Sequence, residues 1–174
     1  FQKPLLFRPL LEAVAGFVRR RPLPAYASRP LSAWFAGRSR PERTTVGTVV
    51  LFDDTYMNFH ETSVGISAVE LLESCGYEVL LANAGCCQRP KISHGLLREA
   101  RAEGEKTLRK LDEYIQQGLQ IVACEPSCAS ALTDDLPDLI DDEELGKRIK
   151  ENVMMIDVFL AREIEAGRCT CEFT

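Results

Sequence analysis

From residue 48 onward, apolar residues fall into short blocks separated by turn-forming polar ones, and the blocks alternate between two periods. Thr48-Val-Val-Leu-Phe52 is a short apolar run of the kind that forms a strand buried on both faces. Over residues 63–75, Val64, Ala68, Leu71 and Leu72 recur at helical spacing, and Gly76 supplies a stop. The pattern then predicts a strand at 77–81, a long helix over 95–117 ended by Gly118, and a third strand at 119–123. Residues 142–166, with Val153, Met154, Ile156, Phe159 and Leu160, predict a closing helical segment. Two successive strand-helix-strand units imply parallel pairing with right-handed crossovers. The expected fold class is therefore α/β: a small parallel sheet with flanking helices, a Rossmann-like half, preceded by a helical arm.

The arm has a different texture. Six of the nine prolines precede residue 42, and they frame two apolar segments, 5–18 and 30–35. Leu6, Leu10, Val14 and Phe17 predict a short amphipathic helix, followed by a Pro- and Arg-rich linker. The expected division is an arm at 1–46, a cysteine-rich α/β domain at 47–168 and a tail at 169–174. The chain starts at Phe1, and its start lacks the layout of a secretory signal, so a piece of a longer protein is expected.

Charge sharpens this division. Residues 1–46 carry nine Lys/Arg and two Asp/Glu, a balance of +7, whereas the remainder stands at -12. Arm and body should attract one another. Arg19-Arg20-Arg21 reads most simply as a solvated helix end, and nucleic-acid binding is disfavoured by an acidic body without an aromatic-interleaved basic face. No run approaches the eighteen or so apolar residues of a membrane span. Seven cysteines without a signal peptide argue for a reducing compartment in which thiols stay free or bind metal. The expected location is the cytoplasm, at most peripheral to the inner membrane.

The candidate chemistry lies just after the strands. Asp53-Asp-Thr-Tyr-Met-Asn58, Gly85-Cys-Cys-Gln-Arg-Pro90 and Cys124-Glu-Pro-Ser-Cys128 follow the first, second and third. In an open parallel sheet such loops share the carboxyl edge, where ligands sit. Adjacent Cys86 and Cys87 are poorly placed to bond to each other but can both bind one metal centre. Thiolate-rich sites select iron-sulfur clusters or zinc, so Cys86, Cys87 and Cys128 are the leading ligand candidates, with buried or merely reactive thiols as the competing reading. Cys124 points either to the site or into the core.

Other residues carry less weight. Cys75 reads as a small core residue, and Cys169 and Cys171 as part of a frayed tail. His60 and His94 read as loop and near-helix-start residues. Asp53 and Asp54 are acid, base or ligand candidates, but aspartates after a strand often only cap the next helix. Arg89 could hold an anion or stabilise a reduced cluster, with a surface ion pair as the plainer reading. A dinucleotide fold lacks its glycine fingerprint, and a Ser/His/Asp hydrolase lacks Gly-x-Ser-x-Gly.

With these residues in view, the chain resembles the cysteine-rich (CCG) domain found in the B subunit of heterodisulfide reductase, in the C subunit of anaerobic glycerol-3-phosphate dehydrogenase, and in lactate and glycolate oxidase iron-sulfur subunits. It is most similar to the first such unit in fusion proteins that join an FAD-linked oxidase domain, a ferredoxin-like domain and two cysteine-rich units. Asp54-Thr-Tyr-Met-Asn58, Cys86-Cys-Gln-Arg-Pro90 and Glu125-Pro-Ser-Cys128 carry the likeness, over about residues 47 to 166. The fullest family motif has cysteines where this chain has Thr55 and Glu125, and glycine where it has Gln88.

The resemblance implies an electron-transfer module with an iron-sulfur cluster of the 4Fe-4S kind, incomplete or absent in this piece. Cys86, Cys87 and Cys128 would be ligands, Cys124 and Glu125 possible substitutes, and Thr55, Asn58 and Arg89 would tune the potential. The partner flavin domain, with FAD, would oxidise a 2-hydroxy acid such as D-lactate or glycolate; the ferredoxin-like domain and the second cysteine-rich unit are the other implied partners. The alternative is a degenerate scaffold that binds zinc or nothing. A third reading is thiol-disulfide exchange through Cys124 and Cys128. The chain alone is not expected to be catalytic.

Overall fold

The computed structural model describes residues 24–39 and 45–169. The helix expected over 5–18, the arginine run at 19–21 and Cys171 lie outside the described residues. Four strands, β1 (Gly47–Leu51), β2 (Tyr77–Leu81), β3 (Gln120–Ala123) and β4 (Val153–Met155), form one parallel sheet in the order β2-β1-β3-β4. The helices are α1 (Leu31–Gly37), α2 (Thr55–Phe59), α3 (Thr62–Ser74), α4 (Arg89–Ser93), α5 (Leu97–Ile115), α6 (Pro126–Ser130), α7 (Leu136–Leu139), α8 (Glu143–Asn152) and α9 (Ile156–Glu165). A π-helical turn, Ala131–Asp135, joins α6 to α7. The expected α/β class is what the chain adopts.

Alternation along the strands divides the core into two layers, because successive side chains leave a strand on opposite faces. Val50, Phe52, Ile121, Ala123 and Val153 meet Leu108 and Leu111 of α5, Leu136 of α7, and Leu145 and Ile149 of α8. Val49, Leu51, Val79, Leu81 and Val122 meet Leu31 of α1, Val69 and Leu72 of α3, and Phe159 and Leu160 of α9. Each such fully buried aliphatic side chain contributes about 1.5–3 kcal/mol.

On α3 the buried face is Gly65, Ala68, Val69 and Leu72, one helical stripe. Val64, expected on that face, is 48% exposed. Gly65 is required by what lies over it, since a Cβ there would run into Leu31 and Met57. Leu31 belongs to the apolar segment 30–35, which docks on α2 and α3. Ser32 N donates to Asn58 Oδ1 (2.9 Å), Ala27 N to Phe59 O (2.8 Å), and Arg38 forks onto the Glu73 carboxylate (2.6 and 2.9 Å).

Three expectations need correction. The closing segment is not one helix: α8 ends at Asn152, Val153–Met155 pair with Ile121–Ala123 of β3, and α9 begins at Ile156. Those three apolar residues satisfy an open sheet edge that a continuous helix would leave unpaired. Cys75 is buried in the α3 layer, as a core residue should be, but it is also disulfide-bonded rather than a free thiol. Cys169, expected in a frayed tail, is buried in that same layer.

Candidate functional site

Because β1 lies between β2 and β3, the three loops after these strands meet at one edge. Asp54 opens α2 as its N-cap, with Oδ1 accepting from Tyr56 N (2.9 Å) and Met57 N (3.0 Å). Its neighbour Asp53 ties two loops together by accepting from Asn83 N at 2.7 Å. Burial raises the Asp53 carboxyl to about 6 against the pull of that bond, with the Asp54 charge adding to the rise. Burial also lifts Asp54, outweighing the bonds from Met57 and Tyr56.

The loop after β2 is shaped by left-handed residues: Asn83 (φ 48°), Gly85 (φ 93°) and Gln88 (φ 63°). The position at which the resemblance expects glycine is thus one where glycine is the least strained choice. Gln88 holds it by bonding inward: its N–H donates to Cys86 Sγ (3.4 Å) and Nε2 to Cys86 O (2.9 Å). Thr107 Oγ1 on α5 donates to the same carbonyl at 3.2 Å.

Three thiols gather there. Cys86 Sγ accepts from Gln88 N, Cys87 follows it in sequence, and Cys87 Sγ lies 2.9 Å from Cys128 Sγ. The contact with Cys87 and then burial push the Cys86 thiol well up, and the contact with Cys128 and burial push Cys87 up to about 12. Both are therefore neutral thiols near pH 7. A separation of 2.9 Å exceeds the roughly 2.05 Å of a disulfide. It falls short of the roughly 3.8 Å between two thiolates on one tetrahedral zinc with Zn–S bonds of about 2.3 Å.

Arg89 fastens this loop to α6. Its Nε donates to Ser127 O (3.3 Å), and Nη2 to Ser130 Oγ (3.1 Å) and Asp135 Oδ2 (2.6 Å). The plainer ion-pair reading of Arg89 is the one its contacts follow. Glu125 caps α6, accepting from Cys128 N (2.6 Å) and Ser127 Oγ (2.8 Å). Burial opposes its ionisation, but those bonds outweigh burial and hold the carboxyl below its ordinary value.

Cys86, Cys87 and Cys128 are thus brought together with Thr55 and Arg89 at their flanks. Cys124 is not: one residue past Ala123, it points to the opposite layer and packs against the core of α3 and α9. Burial, helped by the Asp54 charge, pushes it up to about 11. Asn58 also turns away, its Oδ1 engaged by Ser32 N. His60 packs against the rings of Tyr26 and Tyr56, and His94 follows α4 as its C-cap. Sequence reasoning missed Asp135 and Thr107, which fix the loop from the π turn and from α5. Neither has a local signature; each is placed only by packing.

As a metal site the arrangement is partial. Among the described residues, no group of three or more His, Cys, Asp or Glu side chains is set to hold an ion. The three sulfurs are soft donors, and the Cys87–Cys128 contact would have to open by about 0.9 Å before both could bind one tetrahedral centre. They supply no fourth, since the Glu125 oxygens are engaged as a cap and Cys124 lies across the sheet.

Fold and site together define a parallel α/β domain with a three-thiol cluster at the carboxyl edge of its strands. Its sequence is distantly homologous to the C subunit of the anaerobic glycerol-3-phosphate dehydrogenase of Escherichia coli K12 and of Escherichia coli O157:H7, at 23% identity over 163 residues in each. The match covers 92% of this chain and 41% of the relative, so the chain spans less than half the length of the curated relatives it matches. No protein-family profile matches the chain, and no solved structure does. Among the described residues no helix is long and apolar enough to cross a membrane.

Proposed function

We propose that the chain is an electron-transfer module of the cysteine-rich kind, in which Cys86, Cys87 and Cys128 supply three sulfur ligands to an iron-sulfur cluster. The observation that carries this reading is the convergence of those thiols from two loops at one sheet edge, in a distant homologue of a dehydrogenase component. A bound cluster would supply one-electron transfer. The chain's own contribution is to hold the ligands and set their surroundings. Gln88 N donates a hydrogen bond to Cys86 Sγ, Thr55 lowers the cost of charge on that sulfur, and Arg89 brings a positive charge beside the loop. The remaining ligands would come from a second cysteine-rich unit. The partners would be that unit, a ferredoxin-like domain and an FAD-linked domain oxidising a 2-hydroxy acid such as D-lactate or glycolate, in the cytoplasm.

A second reading has its own support. Glu125 is engaged as a helix cap and Cys124 faces the other layer, which is how a scaffold that has lost its cluster, or binds zinc alone, would be built. Iron, zinc and acid-labile sulfide per chain in anaerobically purified protein separate the two. The electron-transfer reading expects iron with matching sulfide, lost in Cys87→Ser and kept in Cys124→Ser. Zinc alone, or no metal even in a chain extended through the second cysteine-rich unit, establishes the scaffold instead.

A further inference from the structure

We propose that Cys87 and Cys128 are a reversible dithiol-disulfide pair, oxidised by a low-molecular-weight disulfide, and that the linked form shuts the site to metal. The link stands apart from the function proposed above; its effect on metal uptake rests on that reading.

The geometry is that of a pair poised to join. The sulfurs are 2.9 Å apart and must close by about 0.9 Å, roughly half of that from each side chain. Unlike Cys86 and Cys87, which are neighbours in sequence, they come from separate loops 41 residues apart, so their Cβ atoms are not constrained by a shared peptide. Both loops are already fixed. Arg89 binds the first loop to Ser127, Ser130 and Asp135, and Glu125 holds Cys128 N. The ordering needed to bring two thiols together is therefore present before reaction.

Cys87 and Cys128 are 3% and 8% exposed, so an oxidant needs a route. Cys86 provides one, being only partly buried and the immediate chain neighbour of Cys87. The thiolate form of Cys86, a small fraction at neutral pH because the Cys87 contact and burial disfavour it, slowly attacks a small disulfide, releasing one thiol and leaving a mixed disulfide. Cys87 takes over that outer sulfur, restoring Cys86 as a thiol, and Cys128 then displaces the second small thiol. In sum, the oxidant's S–S bond breaks, the Cys87–Cys128 bond forms, and two electrons and two protons pass to the two released thiols. Cys124, facing the other layer, has no part in it.

The test uses metal-free, reduced full-length chain incubated with oxidised glutathione, then alkylated and mapped by mass spectrometry. The expected product is a Cys87–Cys128 cross-linked peptide, reversed by dithiothreitol, with Cys86 and Cys124 alkylated. Cys86→Ser still forms the link, more slowly, and Cys124→Ser forms it at the unchanged rate. The linked protein takes up at least tenfold less zinc than the reduced one. A mixed disulfide that stops at Cys86, a link to Cys124, or equal zinc uptake by linked and reduced protein overturns the proposal. A reduced protein that takes up neither zinc nor iron counts instead against the metal-binding function, because the peptide map needs no metal.

Discussion

Arg89 Nη2 lies 2.6 Å from Asp135 Oδ2, and this contact joins the double-cysteine loop to the π-helical turn that follows Cys128. The turn matters because one extra residue in the helical ladder re-aims the side chains around it, and π turns occur often at functional sites. Here Asp135 meets a guanidinium that also reaches Ser127 O and Ser130 Oγ. Arg89 is thus a positioning residue for the thiols.

Replacing Arg89 by alanine should cost about 1–2 kcal/mol, the scale of a partly exposed charged hydrogen-bond network. It should also raise the alkylation rate of Cys128 severalfold. Arg89→Lys, which keeps the charge but loses the fork, should fall between the two. Urea titration and timed alkylation measure both effects. An alkylation rate unchanged in Arg89→Ala would remove its positioning role.

Asp53 predicts a distinct pH dependence. Its folded value of about 6 stands above the ordinary 3.8, so the folded state holds the proton more tightly than the unfolded chain. The stability from this group is complete below pH 3.8, declines as pH rises towards 6, and stays lost above it. The loss is at most about 3 kcal/mol, at 1.36 kcal/mol for each pH unit. Asp53→Asn, whose side-chain oxygen can still accept from Asn83 N, should flatten this decline. Unfolding free energies of both proteins at pH 4 and pH 6.5 decide the matter, and parallel slopes would count against it.

Leu31 and Gly65 should prove coupled. Leu31→Ala removes a fully buried side chain and should cost about 2–5 kcal/mol, while Gly65→Ala forces a methyl into Leu31 and Met57 and should cost about 1–3 kcal/mol. In the double mutant the new methyl occupies vacated space, so the combined cost should be less than the sum by at least about 1 kcal/mol. A double-mutant cycle by chemical denaturation measures the difference, and strict additivity would deny the contact.

Glu125 reads as the most dispensable of the proposed ligands and the most useful of the caps. Glu125→Ala should cost about 1 kcal/mol and raise amide exchange at Cys128, whereas Glu125→Gln, still an acceptor, should cost less. The charged cap is a depressed carboxylate, so its contribution holds at neutral pH and is lost as pH falls through its folded value, opposite in sign to Asp53. If metal analysis shows Glu125→Gln losing iron as fully as Cys87→Ser, Glu125 is a ligand after all.

Much of this was legible in the chain, and the exceptions share a cause. The second strand falls at 77–81 as the pattern predicts, and the first and third lie within a residue of theirs, because short apolar runs between turn residues leave little choice. Adjacent parallel strands then bring Cys86, Cys87 and Cys128 to one edge. What escaped depends on partners distant in sequence. Cys124 differs from Ala123 by one step of strand parity, so its side of the sheet turns on where the strand ends. Asn58 looked like a site residue, but the docking of Ser32 engages it from outside the loop. Val153, Met154 and Met155 fit either a helix or a strand, and the open edge of β3 decided between them.

That short strand has a mechanical consequence. Helix α8 lies in one layer and α9 in the other, and β4 carries the chain across the sheet's edge between them. The two faces are hemmed together by three residues. Peeling off either layer tugs on the same seam, so the layers should come apart in a single cooperative event, and the thiol loops should lose their mutual geometry in that event.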